Sequence, residues 1–218
     1  MAIELPPALA DDWHRHGGRT DERSLSLATI TAETTVFEHR ATGDALERLR
    51  DDGEIPARSL FTVDLRFSPP LSVVGLSAAD ALETAAPNAR EGFVETLEAD
   101  GIAVGDERAS EFIDRPDGSI GHLTVFEIAY PTDSGVAADG GTDTDTDPAT
   151  IDAEAHVAVW PAGDAYVMAG GVLPLEAPDG ADVLAAALDV DPARDREAVV
   201  DLFRGLDLEG RDDSTEPE

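Results

Sequence analysis

The run Arg58-Ser59-Leu60-Phe61-Thr62-Val63-Asp64-Leu65-Arg66-Phe67 decides the class of the fold. Side chains of an extended chain alternate, so Phe61, Val63, Leu65 and Phe67 share one face and Leu60, Thr62, Asp64 and Arg66 the other. Aromatic and β-branched residues dominate, and Pro69-Pro70 ends the run because proline has no N–H to give to a ladder. This is a strand with one apolar and one mixed face.

Working toward the N-terminus, Ser24–Thr31 and Glu33–Arg40 are rich in Thr, Val, Leu and Ile and read as a hairpin or as one long bent strand. Between them and the decisive run, Gly43–Arg50 has helical spacing at Leu46 and Leu49. Working toward the C-terminus, Ser77 with Asp80 three residues on opens a helix. Leu82, Ala86, Phe93 and Leu97 form its inward stripe, and Gly101 stops it. Pro87 either kinks this helix or splits it in two.

Ala109–Arg115 and Ser119–Tyr130 follow as a hairpin across Pro116-Asp117-Gly118. Ile151–Trp160 and Ala165–Leu173 form a second, with Pro161-Ala162-Gly163-Asp164 at the turn. The last helices start near Ala181 and at Asp191-Pro192, an N-cap followed by proline at the first helical position. Val199, Leu202, Phe203 and Leu206 make the buried stripe of the final one. The expectation is an α+β fold: an antiparallel sheet of about six to seven strands with helices packed on its faces. It forms a single domain over residues 24–206, with residues 1–23 as a loosely held leader, 131–150 as an acidic low-complexity loop and 207–218 as a disordered acidic tail.

Composition bounds function. Fifteen basic residues, none of them lysine, face 47 carboxylates, for a formal charge of −32 on 218 residues. Such a chain repels itself in dilute buffer, but at molar salt the Debye length falls to about 3 Å and the repulsion is screened. The charge therefore predicts a halophilic protein whose fold depends on salt, surrounded by diffuse monovalent cations. Nucleic acid and membrane surfaces are excluded as partners, since both are bound through clusters of Lys and Arg. Ile, Leu, Val and Phe number 51, enough for a modest core rather than a disordered chain. The absence of cysteine removes disulfides and thiolate chemistry. With no long apolar run, the expected location is the cytoplasm.

The order of elements, with a long helix after the third strand, two hairpins and a closing helix, resembles the Mog1/PsbP-type α/β/α sandwich. The stretch from Ser59 to Leu71, together with Ala169-Gly170-Gly171-Val172-Leu173-Pro174-Leu175, resembles haloarchaeal proteins of a domain-of-unknown-function family over about residues 24–206. The resemblance implies a layered fold and a host lineage, and it supplies no functional residue. Proteins of the Mog1/PsbP fold include a small-GTPase partner and photosystem accessory subunits, which implies binding rather than catalysis.

Chemical motifs are few. Asp143, Asp145 and Asp147 have the spacing of a calcium loop with Glu154 at position 12, but Pro148 replaces the required glycine and Glu154 falls in a strand. His14 and His16 lie two apart, which matches no zinc motif. His39, His122 and His156 fall in three different strands; their convergence beside a carboxylate is the alternative reading, a hydrolase or metal-dependent enzyme. The glycine-serine elbow, phosphate loop and paired-histidine helix are all missing. The sequence therefore reads as a binding or accessory module without catalytic residues, metal or cofactor, a monomer or small homo-oligomer whose partner is a protein or a small ligand. Its candidate face is the second hairpin: Trp160 and Tyr166 flanking the turn, with His156, Gly170 and Gly171 beside them.

Overall fold

A computed structural model describes residues 3–24, 28–47, 53–132, 150–177 and 182–208. In chain order these form β1 (Trp13–Ser24), β2 (Thr29–His39), the short helix α1 (Gly43–Leu46), β3 (Ser59–Ser68), a 3-10 turn at Leu71–Val74 and α2 (Leu82–Ala99). Then come β4 (Ala103–Asp114), β5 (Ile120–Pro131), β6 (Thr150–Ala162), β7 (Ala165–Pro174), α3 (Asp182–Leu188) and α4 (Pro192–Gly205). The strands build one antiparallel seven-stranded sheet in the order β1-β2-β3-β7-β6-β5-β4. This is the α+β class that the alternating runs predict.

β7 is the central strand with β3 beside it, and their sequences explain why. Both carry apolar side chains to both faces: Leu60 is fully buried on one face and Phe61 buried on the other. β7 has no room at Gly170 and Gly171. A methyl on Gly170 would stand 1.8 Å from the carbonyl oxygen of His156, and one on Gly171 would meet the Ser59 carbonyl at 2.7 Å and Val199 of α4 at 3.2 Å. The two glycines let β7 fit between its neighbours and under α4.

The turns obey their local chemistry. Gly118 and Gly163 take positive φ of 84° and 60°, and the Asp117 carboxylate accepts the Ser119 N–H at 2.9 Å. The Asp191 side chain caps α4 by accepting the N–H groups of Ala193 and Arg194, both at 3.1 Å. α2 runs through Pro87 as one helix and ends at Gly101, whose φ is 79°.

Two layers cover the sheet. On one face α2 packs Leu82, Ala86, Phe93 and Leu97 into a core that includes Phe126, Ala155, Val157 and Val159. On the other, Val199, Leu202 and Phe203 of α4 pack with Leu60, Trp160, Val167 and Leu173.

Residues 3–24 depart from the expected leader. Ile3, Leu9 and Trp13 are buried in the α4 layer, Pro6 packs on Gly205, and β1 is a full edge strand paired with β2 from Trp13 to Ser24. Three spaced apolar anchors and a backbone ladder hold a segment whose side chains are otherwise polar. β2 is a single strand; residues 25–27 between it and β1 lie outside the described residues, as do 48–52, most of the acidic loop at 133–149 with the calcium-like run, and the tail from 209. No helix among the described residues is long and apolar enough to cross a membrane.

Candidate functional site

α2 does not cover its whole face of the sheet. It rests mainly on β4, β5 and β6, and over β1, β2 and β3 a cleft of about 1130 Å³ remains. The register of the strands builds the floor in rows: Ile30 lies opposite Phe67, Ala32 opposite Leu65, Thr34 opposite Val63 and Val36 opposite Phe61. β7 extends two of these rows with Tyr166 beside Leu65 and Met168 beside Val63. Small residues dominate the facing side of α2, Ala85, Ala89, Gly92 and Thr96, with Ala81 at its N-cap and Thr84 and Asn88 beside them. Large side chains on the sheet and small ones on the helix keep the two walls apart. Phe93 reaches across, stacking on Phe61 at 5.1 Å between ring centres.

Charged groups gather at the rim. Asp21, Glu22, Glu54, Glu91, Glu95 and Asp100 line it with Arg19 and Arg23. Arg19 spans one end, bonding Asp21 at 2.9 Å, Glu54 at 3.2 Å and the Thr96 hydroxyl at 3.5 Å. The Asp100 carboxylate accepts the backbone N–H groups of Glu54 and Ile55 at 2.8 and 3.1 Å and so fixes the 53–55 segment against the end of α2. A final row lies beyond Phe61, where the chain enters β3. It holds Ser59 with Glu38 on β2 and Val172 on β7. Glu38 is buried, with His16 at 3.4 Å and His14 at 3.7 Å from its carboxylate, and His16 and Ser59 both line the cleft.

The hairpin face expected from the sequence does not assemble. Trp160 pairs with Val167 and Pro161 with Tyr166, so Trp160 and Tyr166 point to opposite faces of the sheet, and both are buried. Trp160 packs against Phe203 and Gly121 beneath the Arg115 guanidinium. Tyr166 donates its hydroxyl to the Ala78 carbonyl at 2.8 Å, burial pushes its pKa up, and its ring borders the cleft. Gly170 and Gly171 serve strand packing.

His156 belongs to a separate polar cluster on the α4 face. Its Nε2 lies 2.8 Å from Glu154, whose carboxylate accepts two hydrogen bonds from Arg196 of α4 at 2.6 and 2.8 Å. Burial alone raises the Glu154 pKa, but the bonds from His156 and Arg196 overrule it and hold the carboxyl at about 2.

The three strand histidines do not converge. His39 and His156 share the α4 face but sit on β2 and β6, three strand spacings or about 14 Å apart. His122 pairs with Val159 and lies on the α2 face against Phe112. His39, ring-packed on Trp13, is held neutral: burial, aided by Arg58, lowers its pKa to about 4. Among the described residues no cluster of three or more His, Asp or Glu is arranged to hold a metal.

Comparison with known proteins adds a family. The family model described as "Domain of unknown function (DUF6517)" matches residues 5–207. The chain belongs to that family. No curated protein and no solved structure matches it, so the likeness to the Mog1/PsbP sandwich is not established and the fold class rests on the sheet itself. What a DUF6517 chain brings together here is therefore an apolar, half-open cleft with a polar row at one end. Such an arrangement can hold and orient a ligand.

Proposed function

We propose that the protein is a non-enzymatic binding module whose cleft between α2 and β1–β3 takes a small, largely apolar ligand. The observation that carries this reading is the floor of the cleft, which the described residues leave partly exposed. Eight side chains in four cross-strand rows, seven of them apolar, stand against a helix face of small residues with a space of about 1130 Å³ between them. Ligand pockets are commonly concave, mostly apolar and close to this size, with a few polar groups that fix orientation. Burying half-exposed Ile30, Val36, Leu65 and Phe67 under a ligand supplies the driving force, at roughly 25 cal/mol per Å² of apolar surface removed from water.

The carboxylate surplus supports a salt-rich interior as the setting, because a chain at −32 is least strained where its charges are screened. Binding is tested by titrating the protein, in molar potassium chloride, into the neutral fluorophore N-phenylnaphthylamine. Saturable enhancement is expected, and it is abolished in Ala85→Trp, which fills the cleft, and in Val36→Asp, which charges its floor. A folded wild-type protein that gives no enhancement ends the reading, and so does equal enhancement in both folded variants.

A further inference from the structure

We infer that the ligand is an uncharged amphiphile, an apolar chain ending in a hydroxyl or carbonyl group, with its polar end seated at Ser59. This rests on the cleft being a ligand site. Ser59 is 1% exposed, and its Oγ has no hydrogen-bond partner among the described residues. It shares the parity of Phe61 and Val63, so its side chain belongs to the cleft face of β3, and it lines the cleft. A buried hydroxyl without a partner forfeits a stabilisation of about 1–3 kcal/mol relative to water. Such a vacancy on the wall of a cleft marks a place where an outside group completes the bond. A serine hydroxyl both donates and accepts, so it pairs equally with a carbonyl oxygen or with another hydroxyl.

The sign of the charge follows from the rim. Six carboxylates against two guanidiniums surround the entrance, and Arg19 is already committed to Asp21 and Glu54. A fatty-acid-type anion entering this cleft meets net repulsion and finds no free cation at Ser59 among the described residues. Glu38, the nearest carboxylate in register, is buried and already has His16 at 3.4 Å and His14 at 3.7 Å beside it, so an ammonium group would have to compete with both rings for it. An anionic head would be buried between the Ser59 hydroxyl and the Glu38 carboxylate, at a cost that one hydrogen bond cannot offset. A neutral head meets neither obstacle. The apolar rows from Phe61 to Phe67 then take the chain, and the polar row at Ser59 sets its direction.

Competitive displacement of N-phenylnaphthylamine by octane, octanol, octanoate and octylammonium in molar potassium chloride tests this, using the wild type and Ser59→Ala. Octanol is expected to bind most tightly. Ser59→Ala weakens octanol roughly fivefold, the factor that one net hydrogen bond supplies, and leaves octane unchanged. If none of the four displaces the fluorophore and the fluorophore itself does not bind, the cleft is not a ligand site and the reading beneath this inference has failed. If octane and octanol bind equally in both proteins, the cleft binds apolar molecules but Ser59 does not select a head group, which overturns the inference alone. Tightest binding of octanoate or octylammonium overturns it as well. Ser59→Thr keeps the hydroxyl and is expected to retain the preference for octanol, which separates loss of the bond from a packing defect.

Discussion

The two faces of this sheet are finished in opposite ways. The α4 face is closed: α4, the 3–12 segment and a set of ionic clamps cover it from edge to centre. Arg58 and Asp195 pair while both are 1% exposed, Arg58 also bonds the Leu188 carbonyl at 3.3 Å, Arg115 donates to the Leu206 carbonyl, and Arg196 grips Glu154. The α2 face is held largely by apolar packing over β4–β6 and, among the described residues, is left open over β1–β3. Buried ion pairs and charged hydrogen bonds fix the α4 layer, while half-exposed apolar surface remains on the other face. Surface of that kind is costly to maintain without an occupant.

The contrast breaks most sharply at the buried ion pair. Asp195→Ala leaves the Arg58 guanidinium buried and unpaired, and urea denaturation in molar salt is expected to show a loss of about 3–5 kcal/mol. The double replacement Arg58→Met with Asp195→Leu recovers most of it, because an apolar pair of similar volume avoids the desolvation cost. A single variant as stable as the wild type would show that the clamp does not hold α4.

The second largest effect lies at Arg196. Arg196→Met removes two charge-assisted bonds to Glu154 and is expected to cost about 1–3 kcal/mol near neutral pH. Its pH signature has a definite sign. The folded Glu154 carboxyl titrates at about 2, below its ordinary value of 4.5, so its contribution is fully present above 4.5 and is lost as pH falls through 2. In Arg196→Met the folded value rises and that acid-limb slope between 4.5 and 2 shrinks; an unchanged slope in acid denaturation would remove Arg196 as its cause.

The smallest effect is expected on the open side. Ile30→Ser, at a half-exposed floor position, should cost under about 1 kcal/mol while weakening fluorophore binding severalfold. A loss comparable to that at Asp195 would mean that the floor is core rather than site, and the two faces would no longer differ.

Much of this architecture was legible in the chain. β3, both hairpins and the Asp191-Pro192 start of α4 carry local signals that agree with their tertiary surroundings, and Leu82, Ala86, Phe93 and Leu97 form the buried stripe that their spacing predicts. β1 was not legible. Between His14 and Ser24 it has no large apolar side chain, and backbone pairing with β2 leaves no periodic trace in the sequence. The cleft was hidden for a different reason: Ile30, Val36, Leu65 and Phe67 alternate just as core residues do, and only the sideways position of α2 leaves them uncovered. Trp160 and Tyr166 were misplaced by one step of register. A two-residue turn at Gly163-Asp164 pairs Ala162 with Ala165, so positions 160 and 166 fall on opposite faces; an odd-length turn would have brought them together. Ser59 gave no signal at all, since a serine in a strand is unremarkable until its hydroxyl is found buried and unbonded.

β1 also governs how the molecule behaves in company. A twelve-residue outer strand offers its outward backbone groups to any neighbouring chain, and at the protein concentrations of a crowded cell that is a template for fibres. Here Arg15, Arg19, Asp21, Glu22 and Arg23 stud that border with charges of both signs, and the backbone shifts register between Arg15 and Gly17. A second copy approaching edge to edge must strip water from these charges and match an irregular ladder. Protection against self-stacking is thus written into the one strand that looked least like a strand.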